Sequence, residues 1–94
     1  MALETTPYDS ADYLDSPEDI AAYLEAAFED GDPALITHAL GVVARAKGMS
    51  QLARDAGVTR EALYKALTAD GDPKLSTFVG VMKALGMRLL AKAA

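Results

Sequence analysis

The sequence predicts an all-α domain of five short helices, and three observations predict it. Alanine and leucine dominate an apolar half, 51% of the 94 residues, while β-branched residues are sparse and aromatics are only 6%, so propensity favours helix over strand. Apolar residues recur at the i, i+3, i+4, i+7 spacing of an amphipathic helix. Three cap-then-proline pairs, Ser16-Pro17, Asp32-Pro33 and Asp72-Pro73, stand where a helix can open, because proline suits the first helical position and the preceding side chain can accept from an unpaired amide. The stretches that follow these pairs share no register, so they mark helix starts and not an internal repeat. A chain of this length builds one modest core and hence one domain.

Residues 1–15 have no helical period and read as an extended acidic arm, poorly ordered when free, in which Tyr8, Tyr13 and Leu14 can pin the arm onto the domain or onto a partner. Residues 16–94 read as a single helical domain. Helix one opens at Ser16-Pro17, with Asp19 placed to answer the capping serine, and carries Ile20, Tyr23, Leu24, Ala27 and Phe28 on one face to about Asp30 before Gly31. Helix two opens at Asp32-Pro33, turns Ile36, Ala39, Leu40 and Val43 inward and ends at Lys47 before Gly48. Helix three is short, residues 50–56, and helix four runs from the Thr59 cap to about Thr68. After a polar loop, Asp72-Pro73 is expected to open helix five, with Ser76 as a competing cap and Leu75, Phe78, Val79, Met82 and Leu85 as its buried stripe before Gly86. The alternating tail, residues 87–94, suits a short strand or a frayed helix.

Residues 50–67, SQLARDAGVTREALYKAL, are the stretch around which the chain is organised. Leu52 and Ala53 face inward, and Ala53 is small enough for a second helix to cross closely. Gly57 can take the left-handed conformation that closes a helix C-terminus. Val58 then buries the turn, Thr59 caps the next helix, and Leu63 with Leu67 forms its buried stripe. That spacing leaves Thr59, Arg60, Glu61, Tyr64 and Lys65 on outward or flanking faces, the layout of a recognition helix whose N-terminal residues reach base edges. An αα-hairpin with a merely solvated polar face has the same periodicity, and what favours DNA is that the small residue, glycine, cap and apolar positions all fall at mutually consistent offsets.

A net charge of −5 suits a DNA binder poorly until the chain is divided. Residues 1–36 carry ten carboxylates and no Lys or Arg, whereas residues 37–94 carry nine bases and four acids. Asymmetry of this kind points to two partners of opposite charge, or to an acidic arm kept for solubility. The absence of cysteine removes disulfides and thiolate metal sites, and a lone His38 on the polar side of its helix makes no metal site. No His, Cys or Ser constellation and no glycine-rich phosphate loop occurs, so neither catalysis nor a cofactor is expected. The first ten residues lack both a basic region and an apolar run, which argues against a signal peptide or membrane anchor and for a cytoplasmic protein.

Leu52-Ala53 with Gly57-Val58-Thr59, and Ala84-Leu85-Gly86 downstream, resemble the phage-repressor-like helix-turn-helix domains. More narrowly, residues 8–89 resemble the addiction-module antidote family, the antitoxins of bacterial type II toxin-antitoxin pairs. No single motif carries that resemblance; the combination does. It implies a homodimeric antitoxin that binds a small basic toxin of the RelE/ParE superfamily and represses the operon encoding both. Thr59, Arg60, Glu61 and Lys65 then match the positions that contact DNA, with Tyr64 beside them and Lys74 as a further phosphate contact. One departure is that repressor-like domains place a phosphate-contacting Gln three residues before the Leu-Ala pair, where this chain has Met49; Gln51 directly precedes Leu52. Ser50, Gln51 and the amides of that helix start remain candidates for a phosphate. On the toxin side the implied set is Tyr8, Tyr13, Leu14, Glu18, Tyr23, Glu25 and Phe28, an acidic helix with an apolar stripe able to cover a basic surface.

Two other readings stay open: a phage or host helix-turn-helix regulator without a toxin partner, and an interaction module that no longer reads DNA. The acidic N-terminal third favours the antitoxin, since a plain regulator has no need of it. The cap at Asp32 is expected to begin a compact unit able to bury Ile36, Leu40, Leu52, Leu63, Phe78 and Met82 without helix one, and residues 85–90 are the expected seam of the dimer.

Overall fold

The computed structural model describes residues 14–68 and 70–94, and among these five helices and no strand are present. Tyr8 and Tyr13 lie outside the described residues. Helix α1 spans Pro17–Asp30: the Ser16 hydroxyl accepts from the Asp19 amide at 3.1 Å, Pro17 occupies the first turn, and Gly31 closes the far end by donating to the Ala27 carbonyl. Helix α2 spans Pro33–Lys47, opened by Asp32 Oδ1 accepting from the Ala34 amide at 3.0 Å. Helix α3, Met49–Ala56, starts one residue earlier than its sequence suggests and has no side-chain cap. Helix α4, Arg60–Ala66, is capped by Thr59 Oγ1 accepting from the Ala62 amide at 3.0 Å. It ends two residues short of Thr68, whose hydroxyl donates back to the Lys65 carbonyl.

Two expectations about the C-terminal third are corrected. Asp72-Pro73 opens no helix: α5 spans Leu75–Ala84, and its cap position is Lys74, in an extended conformation and without a side-chain cap bond. Pro73 instead lines a groove across from Pro33 and Ile36 of α2. Of its expected stripe, Met82 and Leu85 are buried and Phe78 packs on the core, whereas Leu75 is 74% exposed and Val81 joins the buried face. At Gly80 an added Cβ would meet the Ala56 carbonyl oxygen at 3.0 Å, so α5 turns its glycine onto the end of α3 beside the inward Val81. The tail is neither strand nor helix. The Gly86 amide donates to the Lys83 carbonyl and the Met87 amide to the Met82 carbonyl, a paired closure that stops α5 and leaves residues 87–94 irregular.

One buried cluster runs through all five helices. α1 packs on α2, and α3 sits centrally against α2, α4 and α5. Ile20, Leu24 and Ala27 of α1 belong to that cluster together with Leu40, Val43, Leu52, Leu63 and Met82, and Leu14 joins it ahead of α1. The expected residues after Asp32, namely Ile36, Leu40, Leu52, Leu63, Phe78 and Met82, do pack together, but in a cluster that α1 shares. Ile20 and Leu24 are among the most deeply buried large side chains. Burial of each contributes about 1.5–3 kcal/mol, against a net stability of about 5–15 kcal/mol for a small domain. The Cα radius of gyration, 13.2 Å, matches the roughly 13 Å of a compact chain near this length.

Candidate nucleic-acid interface

The hairpin α3–α4 is held from below by Leu52, Ala53, Leu63 and Leu67, all buried, with Leu63 wholly out of solvent. Its turn closes by two bonds, the Gly57 amide to the Arg54 carbonyl at 3.2 Å and the Val58 amide to the Ala53 carbonyl at 3.0 Å. Gly57 has φ +79°, a left-handed value that a Cβ would strain. Val58 is partly buried against the core, as the turn requires. At the other end of α4 the backbone of Leu67 meets α2 at Gly41, where an added Cβ would come within 2.8 Å of the Leu67 carbonyl oxygen. Arg45 Nη1 approaches the same point, so the basic end of α2 flanks the hairpin.

With its apolar side fixed, α4 turns Arg60, Glu61, Tyr64 and Lys65 to solvent, and Thr59 is exposed at its cap. Arg60 and Tyr64, and Glu61 and Lys65, are four residues apart and stand as neighbours along the helix. The Tyr64 ring is 56% exposed, an aromatic surface left uncovered on an otherwise polar face. On α3, Ser50 and Gln51 are exposed at an N-terminus where no side chain caps the first amides. The Gln51 side chain is engaged within its own helix: its Nε2 donates to Asp55 Oδ1 at 3.0 Å, and its Oε1 accepts from Arg54 Nη1 at 3.1 Å. Ser50, Gln51, Thr59, Arg60, Glu61, Tyr64 and Lys65 thus share one hairpin, whereas Lys74 is exposed on a separate connection at the start of α5. Arg45 and Arg54 add exposed charge to this region, and sequence reasoning passed over both. The Gln51, Arg54, Asp55 spacing carried the signal for Arg54, since residues three and four apart on a helix meet.

The acidic segment is built differently from its expected form. α1 presents Glu18, Asp19, Glu25, Glu29 and Asp30 to solvent and carries no base. Its apolar stripe, however, faces the protein's own core: Leu24 is buried, Tyr23 and Phe28 are half-buried against the cluster, and Phe28 meets Phe78 of α5 edge-on with ring centroids 6.2 Å apart. Leu14 is buried as well, pinned to the domain. His38 is exposed, and among the described residues no three of His, Cys, Asp or Glu converge on a metal-sized site. No described helix is long and apolar enough to cross a membrane.

Comparison with known proteins is consistent along the length of the chain. An uncharacterized protein of Haemophilus influenzae is 46% identical over 88 residues, which cover 94% of this chain and 91% of that protein. No solved structure matches. Residues 4–93 match the family described as "Probable addiction module antidote protein", a span that takes in all five helices and the whole α3–α4 hairpin. The chain belongs to the addiction-module antidote family.

Proposed function

We propose that the protein is an antitoxin that neutralises a small basic toxin of the RelE/ParE type encoded beside it and, as a two-fold dimer, represses its own operon by placing α4 in the major groove. The observation that carries the DNA half is the uncovered face of α4, with Arg60, Tyr64 and Lys65 exposed above a fully buried Leu63. Such a face costs nothing in core packing, offers a guanidinium for guanine O6 and N7, and leaves the uncapped amides of α3 to meet a backbone phosphate. The toxin half rests on family membership, since an antidote requires something to neutralise, and on the five exposed carboxylates of α1, which suit a basic partner.

Two measurements test this. A mobility-shift assay with the DNA upstream of the gene should show binding that weakens steeply with salt. Co-expression should relieve growth arrest caused by the basic protein of the adjacent reading frame. A regulator without a toxin partner is the second reading, favoured by one observation: the apolar stripe of α1 is consumed by the protein's own core. Operator binding without relief of arrest would select it.

A further inference from the structure

Of the apolar residues expected to meet a toxin, Leu14 is buried and Tyr23 and Phe28 are half-buried against the protein's own core, so that they offer little free surface. An anchor has to be sought among large apolar side chains that remain in solvent. Leu75 is 74% exposed, and it stands on a groove of about 280 Å³ between the start of α2 and the start of α5. Pro33 and Ile36 form one wall; Asp72, Pro73, Leu75 and Phe78 form the other.

The sign of the rim selects the occupant. Asp72 lines the groove, and Asp32 precedes Pro33 with only one carboxylate oxygen used in its capping bond. Behind Phe78 stands Phe28, and one helical turn before Phe28 is the exposed Glu25, which shares its face of α1. Lys74 is the one base adjoining these acids in sequence. A second groove of similar size, between α5 and the tail, has Lys83 and Arg88 on its lining and so repels the same partner.

We infer that the α2–α5 groove, with Leu75 as its anchor and Asp72 and Asp32 on its rim, docks a basic polypeptide that inserts an apolar side chain or the stem of a Lys or Arg. The inference rests on the proposed toxin partner and names its seat on this chain. It also accounts for the two asymmetries left over from the fold: a second Asp-Pro pair that opens no helix, and a leucine placed in solvent at the first position of one.

The test uses the full chain and the basic protein encoded by the adjacent reading frame, titrated by calorimetry at low and moderate salt. Two exposed positions are changed singly, Leu75→Ser and Asp72→Asn, and thermal melts check that each variant keeps its fold. Leu75→Ser should weaken binding about tenfold, the consequence of withholding one leucine from burial. Asp72→Asn should weaken it several-fold at low salt and make it less sensitive to added salt, because a rim charge acts over about a Debye length. Wild-type affinity in both variants would overturn the groove while leaving the toxin partner in place. A wild-type chain that does not bind the basic protein would overturn the partner and the groove together.

Discussion

Gly41 of α2 and Leu67 at the end of α4 meet backbone to backbone, with no side chain between them, and a Cβ at Gly41 would lie 2.8 Å from the Leu67 carbonyl oxygen. Neither partner is the far end of a flexible side chain, so the contact cannot yield cheaply. Gly41→Ala should destabilise the domain by about 1–3 kcal/mol, the usual cost of overpacking, and displace α4. Urea unfolding should show a lower midpoint at unchanged slope. A midpoint equal to wild type would show that α4 shifts freely at this point.

Burial of α1 in the common core makes the acidic helix structural first. Leu24→Ala should cost about 2–5 kcal/mol, and removing residues 1–31 should abolish the cooperative melt in circular dichroism, since it deletes Ile20, Leu24 and Ala27 together. A fragment that melts cooperatively would restore the expectation of two separable units.

Arg60 and Lys65 share the exposed side of α4 but are predicted to fail differently. Arg60→Ala should relax sequence preference by roughly 1–3 kcal/mol at the base it reads. Lys65→Ala should lower affinity for every sequence and reduce the salt slope by about one phosphate contact. Competition mobility shifts with operator and scrambled DNA at several salt concentrations distinguish them. Full operator preference in Arg60→Ala would reduce this arginine to a surface charge.

One recognition helix offers few base contacts, so a two-fold dimer reading half-sites roughly 34–36 Å apart is expected. Residues 85–90 were the expected seam, but Leu85 is buried in the protein's own core, which leaves Leu89 and Leu90, 48% and 83% exposed, to form it. Leu90→Asp should give a monomer by light scattering and a footprint confined to one half-site. A variant that remains dimeric would move the seam elsewhere.

The legible parts of the chain were those whose causes are local. Ser16-Pro17 and Asp32-Pro33 open α1 and α2 as their chemistry requires, and the Gly57-Val58-Thr59 turn delivers α4 with the outward residues its spacing implies. Asp72-Pro73 presents a similar string and opens nothing: α5 begins at Leu75 with Lys74 at its cap position and seats Gly80 closely on Ala56 of α3. That contact joins residues distant along the chain. The same limit hid the fate of the α1 stripe: periodicity shows that Ile20, Leu24 and Ala27 share a face, and only the packing of α1 on α2 decides that the face is covered by the protein itself. At the hairpin, the spacing of Arg60, Glu61, Tyr64 and Lys65 placed them outward, and the three- and four-residue spacing of Arg54 and Asp55 from Gln51 is what lets them engage it.

The glycine contact at Gly41 has an evolutionary consequence. Because α4 is seated by its buried Leu63 and Leu67 and by the close backbone approach of Leu67 to Gly41, its pose does not depend on which side chains it turns outward. Arg60, Glu61, Tyr64 and Lys65 can therefore vary together while the scaffold presents them at an unchanged angle. Duplicated copies of such a gene in one genome can thereby diverge on this exposed face long before they diverge in fold.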